Sequence, residues 1–344
     1  MFNLKTLVRP NILALKPYSS ARDEFKGSEG VFLDANENPF GTLNRYPDSY
    51  HKELKTVLST NNNIPVENIF TGNGSDEIID LLYRVFCNPG KDKTLTFTPT
   101  FGMYQVAADI NDVELIKLPL HDDFQINTEA LKPYLSAENV KLIFICSPNN
   151  PTGNCFQEED VAFILNNFNG IVVIDEAYID FSSTDSFAKY LENYPNLIVM
   201  QTLSKAWSLA AARIGIAFAS QDIIQLLNNV KMPYNVSKLN QKAAVEALKD
   251  TKTFEANKKV ILEQKTKLKS ALKGLDIVKK IYPSDANFWL IEVEDANGLY
   301  EELVAQKVIT RNRNSLVKNS IRITVGTPAE NEILIKALLA ISKS

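Results

Sequence analysis

Leu142-Ile143-Phe144-Ile145-Cys146 runs directly into Ser147-Pro148-Asn149-Asn150-Pro151-Thr152-Gly153. A short, continuous apolar run ending in a polar turn reads as a strand covered on both faces, with its carboxyl end open to a ligand. The same shape recurs twice. Ile171–Ile174 leads to Asp175-Glu176-Ala177-Tyr178, and Leu197–Gln201 leads to Thr202-Leu203-Ser204-Lys205, with Arg213 eight residues on. The intervals from Asn150 to Asp175 and from Asp175 to Lys205 are 25 and 30 residues. Each has room for one helical crossover between parallel strands. An amide, a carboxylate and an amine are therefore expected along one edge of one sheet.

Outward from that centre, Ile69–Thr71, Thr94–Phe97, Val113–Leu118 and Ile214–Ala219 bring the strand candidates to seven. Helical patterns at Asp76–Phe86, Met103–Asp109, Glu158–Phe168 and Phe187–Asn193 lie between several of them. The alternation predicts an α/β fold with a doubly wound, mostly parallel seven-stranded sheet between helices. Past Pro233 the pattern changes. Ser237–Lys249 and Thr251–Leu272 read as long amphipathic helices, and their many lysines as a solvated face. Strands at Val278–Tyr282, Asn287–Val293, Val308–Arg311 and Ile321–Val325, with helices at Asn297–Gln306 and Ala329–Ser342, make a smaller α+β unit. The expected organisation is an extended N-terminal arm over 1–43, a large domain over 44–236 and a small domain over 237–344.

Composition narrows the chemistry. The 344 residues are 45% hydrophobic and 23% charged, an ordinary globular balance. The net charge of −4 lacks the basic surplus of a nucleic-acid partner. Cys87, Cys146 and Cys155 are widely spaced, so neither a disulfide framework nor a zinc site is expected, and Cys146 reads as core. His51 and His121, the only histidines, read as surface residues, and no metal is expected. The most apolar long stretch, Trp207–Ala219, is broken by Arg213 and falls short of the about 20 apolar residues of a membrane span. Met1–Pro10 has no signal-peptide pattern, and a cytoplasmic location is expected.

Thr71-Gly72-Asn73-Gly74-Ser75-Asp76 follows a strand and opens a helix, where free backbone N–H groups favour a phosphate. Taken alone it is also a turn with Ser75 capping the helix. The third glycine of the dinucleotide fingerprint is absent, which counts against a nucleotide-binding dehydrogenase. A phosphate cup, an acid after one strand and a lysine after another suit pyridoxal phosphate, which needs a lysine amine and an acidic partner for its ring nitrogen. Asp175 is the candidate acid. Asn150 and Tyr178 would hydrogen-bond the ring oxygen, and Phe101 would stack on the ring. Ser204 and Arg213 would join the backbone of Gly74, Ser75 and Asp76 around the phosphate. Singly, Asp175, Lys205 and Arg213 also read as loop or surface charges and Phe101 as core. It is their joint occurrence at crossover spacing that points to the cofactor.

Asn150-Pro151-Thr152-Gly153, Asp175-x-x-Tyr178 and Ser204-Lys205 with Arg213 resemble the fold-type I aminotransferases of class I/II. Leu33-Asp34-Ala35-Asn36-Glu37-Asn38-Pro39, Asn44-Arg45-Tyr46-Pro47, Pro99-Thr100-Phe101-Gly102-Met103-Tyr104 and Arg322-Ile323-Thr324-Val325-Gly326-Thr327 narrow the resemblance to the histidinol-phosphate aminotransferases, over nearly the whole length. The resemblance implies Lys205 as the cofactor-bearing lysine and proton carrier. It implies substrate contacts from Tyr18, Asn36, Arg311 and Arg322. It also implies a homodimer with shared sites, in which Tyr46 reaches the partner's cofactor phosphate. The implied substrates are histidinol phosphate and glutamate or 2-oxoglutarate. Aromatic amino-acid aminotransferases and threonine-phosphate decarboxylases share most of these motifs. Two residues depart from the family pattern. Ala211 stands where glycine is usual, and Phe101 where tyrosine is common.

Overall fold

The computed structural model describes residues 2–18 and 30–342. Seven strands form the large sheet: β1 (Ile69–Asn73), β2 (Lys93–Thr98), β3 (Glu114–Pro119), β4 (Val140–Cys146), β5 (Ile171–Asp175), β6 (Leu197–Thr202) and β7 (Ile214–Ala219). Their order is β1-β7-β6-β5-β4-β2-β3. The β2–β3, β2–β4, β4–β5 and β5–β6 pairs are parallel, while β7 runs antiparallel to both β1 and β6. Every residue of β5 and β7 is buried. That is why these strands read as unbroken apolar runs: both faces carry cover, so neither needs polar side chains.

Two apolar layers sandwich this sheet. One holds Ile143, Ile145, Val172, Ile174 and Phe218, and the other holds Phe144, Val173, Met200 and Ala217, alternate residues of the same strands. Helix Ser75–Phe86 presents Ile78, Ile79, Leu82 and Phe86 to the second layer. Each fully buried side chain of this size contributes about 1.5–3 kcal/mol. The sheet is thereby a rigid mount for whatever projects from its edge.

The smaller unit is a four-stranded sheet of order β10-β11-β9-β8, made of β8 (Val278–Ile281), β9 (Phe288–Val293), β10 (Arg311–Asn312) and β11 (Ser320–Thr324), all pairs antiparallel. Helices Thr251–Lys273, Ala296–Ala305 and Pro328–Ile341 cover one face. Helix Lys238–Lys249 instead buries Ala244, Val245 and Leu248 in the core of the large sheet.

Three local readings change. Within the expected extended arm, Leu4–Leu7 and Pro10–Leu13 are short helices, and Val8 and Ile12 dock into the core beside helix Ser75–Phe86. The stretch 19–29 of that arm lies outside the described residues. His51 is not a surface residue: it is 1% exposed and contacts Thr71 Oγ1 on β1. Burial, with Lys231 and Lys55 nearby, pushes its imidazole down to about 3. On helix Thr251–Lys273 most lysines are solvated, but Lys265 is buried, with its Nζ donating to Ser284 O at 2.7 Å and lying over Trp289. A long apolar stem lets a lysine do this. Among the described residues, no helix is long and apolar enough to cross a membrane, and no cluster of three or more metal-ligating side chains occurs.

Candidate active site

The ends of three parallel strands bring the polar residues together. Cys146 on β4 is in register with Asp175 on β5, and Asp175 with Met200 on β6. The turns after them therefore open side by side. A cavity of about 110 Å³ lies there, lined by Ser75, Asp76, Phe101, Asn150, Asp175, Tyr178, Ser204, Lys205 and Arg213 among others. A wider groove of about 500 Å³ is separate and holds Asn36 and Tyr46. The chemistry, not the volume, marks the smaller one.

Asp175 forms its floor. It is 3% exposed and accepts hydrogen bonds from Tyr104 Oη at 2.8 Å and from the Ala177 N–H at 3.1 Å. Burial pushes its carboxyl pKa up, and Asp76 adds to that. The two hydrogen bonds and Lys205 pull it back. Lys205 is an exposed residue at the mouth, with Nζ 5.6 Å from the Tyr178 ring centroid. Partial burial, then the Arg322 and Arg213 cations, hold its amine below the ordinary lysine value against Asp175 and Asp76. Asn150 Oδ1 accepts from Arg322 Nη1 of the small unit. Tyr178 packs edge-on against Phe288 of β9. Both contacts close the small sheet over the large one.

The turn expected to form the phosphate cup is built on glycine. Gly74 caps helix Ser75–Phe86 with φ 78° and ψ 165°, without a side-chain cap. The alternative of a capping Ser75 is thus not what occurs, and the helix's first N–H groups stay open to an anion. A Cβ on Gly74 would lie 2.4 Å from Arg213 Nη2, and one on Gly215 would lie 2.4 Å from the Gly74 backbone. Arg213 itself sits at φ 53° and pairs with Asp76 at 3.2 Å. Ala211 lies in a right-handed turn, Ala210–Ala212, so its methyl is accommodated and the left-handed position falls one step after that turn, on Arg213.

As a donor set these residues fit pyridoxal phosphate. An uncapped helix start and a guanidinium face one end of the cavity, and a buried carboxylate without a cation in hydrogen-bonding contact faces it from the floor. An aromatic ring, Phe101, lines it, held edge-on by Tyr104 with centroids 5.6 Å apart.

Tyr18, Asn36 and Tyr46 are not brought to Lys205 within the chain. Tyr18 is 67% exposed, and Tyr46 stacks on Tyr234 at 4.4 Å beside Asn36. Arg311 lies opposite Arg322 across β10 and β11, exposed at the rim. Sequence reasoning missed Tyr104, Tyr234 and Arg313. For Tyr104 a signal existed: it lies three residues after Phe101, in the first turn of a helix that follows a strand end.

A family model described as aminotransferase class I and II matches residues 23–338. The chain is 50% identical to the histidinol-phosphate aminotransferase of Cytophaga hutchinsonii over 344 residues, covering 98% of this chain and 99% of that one. It is 48% identical to that of Flavobacterium johnsoniae, covering 98% of each. Among solved structures, a histidinol-phosphate aminotransferase from Clostridium acetobutylicum matches at TM-score 0.80 and 23% identity, over 88% of this chain and 91% of that one. One from Sinorhizobium meliloti, in complex with pyridoxal-5'-phosphate, matches at 0.79 and 23%, over 90% of each.

Proposed function

The chain belongs to the class I and II aminotransferases, and from that premise we propose that it moves an amino group between L-histidinol phosphate and 2-oxoglutarate. The products are imidazole acetol phosphate and L-glutamate, a step of L-histidine biosynthesis. The observation that carries this reading is 50% identity along 98% of the chain to a relative of that name. The fold alone does not select the substrate, since an L-threonine-O-3-phosphate decarboxylase shares it at TM-score 0.74.

Pyridoxal phosphate is the cofactor, and it supplies the electron sink that loosens a bond at the amino-bearing carbon. In this reading Asp175 keeps the ring nitrogen protonated, and Tyr178 and the remaining Asn150 amide hold the ring oxygen. Phe101 covers the ring. Arg213, Ser204 and the N–H groups at Gly74–Asp76 hold the phosphate, drawing Arg213 from Asp76. Lys205 carries the cofactor and then moves the proton with its Nζ, a task that needs a neutral amine. Its lowered pKa enlarges the neutral fraction at any given pH. Arg322 and Arg311 take the substrate's anionic groups.

We place Tyr18, Asn36 and Tyr46 in the site of a second copy, giving a cytoplasmic homodimer with shared sites. Val31, Leu33 and Phe40, each more than 80% exposed beside them, support that reading as an apolar surface to be covered. We also place the start of the small domain within helix Thr251–Lys273 rather than at 237, because Lys238–Lys249 packs on the large sheet. The test is direct: record the visible absorbance of the purified protein, add histidinol phosphate and 2-oxoglutarate, and measure glutamate. Carbon dioxide release from threonine phosphate, or turnover of aromatic amino acids alone, would move the assignment to those relatives.

A further inference from the structure

We infer that Arg313 sets substrate specificity: beside Arg322, its guanidinium takes part of a substrate phosphate and makes the site grip a phosphate monoester more tightly than a carboxylate. The inference rests on the reading that a phosphorylated amine is one of the two substrates.

The sheet register puts three guanidiniums on one face. Arg311 lies opposite Arg322, and the Arg313 N–H continues the ladder to Ser320 O at 2.9 Å. Ile321 and Ile323 enter the helix-covered core, so Arg322 points the other way, and Arg311 and Arg313 with it. That face meets the active site. Arg322 donates to Asn150 and lies 5.2 Å over Phe288, which packs on Tyr178. Arg313 also feels the Tyr178 hydroxyl and both other arginines. Burial, then Arg322 and Arg311, lower its pKa to about 10.

Among the described residues no carboxylate forms an ion pair with Arg311, Arg313 or Arg322, and the Nε atoms of Arg313 and Arg322 are buried without a hydrogen-bond partner. Glu292, on the same face opposite Ser320, accepts the Tyr282 hydroxyl at 2.9 Å instead. Arg311 is exposed to solvent at the rim, whereas the Arg313 Nε is buried. A carboxylate offers two oxygens, enough for one guanidinium fork. A phosphate monoester offers three non-bridging oxygens and up to two charges, enough for two forks. Arg322 serves the one carboxylate that glutamate seats on it, and only a phosphate in that same place has an oxygen left for Arg313.

The experiment uses holoenzyme, whose phosphate cup is already filled, with Arg313→Gln and Arg313→Lys. Each half-reaction is followed separately, and inorganic phosphate serves as a competitive probe against glutamate. Losing a charge-assisted hydrogen bond predicts that Arg313→Gln raises the KM for histidinol phosphate about tenfold or more relative to the KM for glutamate. Phosphate inhibition weakens by a similar factor, and Arg313→Lys falls between. An unchanged ratio of the two KM values with unchanged phosphate inhibition overturns the inference, as does an equal rise for both substrates. Wild-type holoenzyme inert toward histidinol phosphate would instead overturn the proposed reaction, and the phosphate arm would still decide Arg313. Cofactor absorbance and Tm identify a misfolded variant, in which case the Arg313→Lys result decides.

Discussion

Replacing Gly74 with alanine separates cofactor grip from chemistry. At φ 78° and ψ 165° the backbone occupies a region open essentially to glycine alone, so alanine costs about 1–3 kcal/mol if the turn is kept. The new Cβ would lie 2.4 Å from Arg213 Nη2 and 3.0 Å from its Cζ, so the guanidinium must leave. It cannot be accommodated by sliding the turn, because the Gly74 backbone already rests on Gly215. Losing a guanidinium–phosphate hydrogen bond costs about 1.5–3 kcal/mol, which is roughly a ten- to hundredfold weaker Kd for pyridoxal phosphate. Asp175 and Lys205 do not touch Gly74, so kcat at saturating cofactor should fall far less than affinity. The assay is equilibrium titration of apoprotein with pyridoxal phosphate, read by visible absorbance, beside a urea midpoint of the apoprotein. An unchanged Kd in a folded Gly74→Ala protein would refute the assignment of this turn to the phosphate.

Other outcomes follow from the same geometry. Asp175→Asn should lose turnover far more than cofactor loading, because an amide does not keep the ring nitrogen protonated; near wild-type turnover would remove Asp175 from that role. Tyr104→Phe keeps the ring stacked 4.9 Å from Phe144 but deletes the donor to Asp175. With a hydrogen bond to a charged group worth about 1.5–3 kcal/mol, kcat should drop about tenfold or more, and the absorbance-versus-pH profile of the holoenzyme should move; neither changing would make the hydroxyl purely structural. Mixing Lys205→Ala with Tyr46→Ala chains should regain activity above either parent, provided Tyr46→Ala is itself impaired, since one site of each hybrid is intact. Verified hybrids without gain would reject the shared site.

The legible parts of this molecule were those where one physical rule acted alone. Strands buried on both faces had to be continuous apolar runs, so β4 to β7 and their order of chemistry stood out, and Asn150, Asp175 and Lys205 fell on adjacent strand ends as crossover spacing requires. In the small unit, β8, β9 and β11 were found to within a few residues, whereas the expected strand Val308–Arg311 shares only Arg311 with β10, Arg311–Asn312. What stayed hidden depended on partners distant in the chain. His51 sits in a polar stretch, and its burial against Thr71 follows only once β1 is brought beside it. Tyr104 looked like an ordinary helix residue until β5 placed Asp175 against its hydroxyl. Arg313 gained meaning only when β10 and β11 paired it onto the face of Arg322. The left-handed Arg213 was concealed because its carbonyl is tied to the Gly74 N–H, far from it in the chain.

The central claim is that the Lys205 amine, at the end of β6 and opposite Asp175, carries the cofactor and the proton. Borohydride reduction of the holoenzyme followed by peptide mapping measures this most directly. The account predicts a pyridoxyl label on the peptide containing Ser204-Lys205, and in Lys205→Ala no label and no transamination. A label on any other lysine, or transamination surviving in Lys205→Ala, would contradict it.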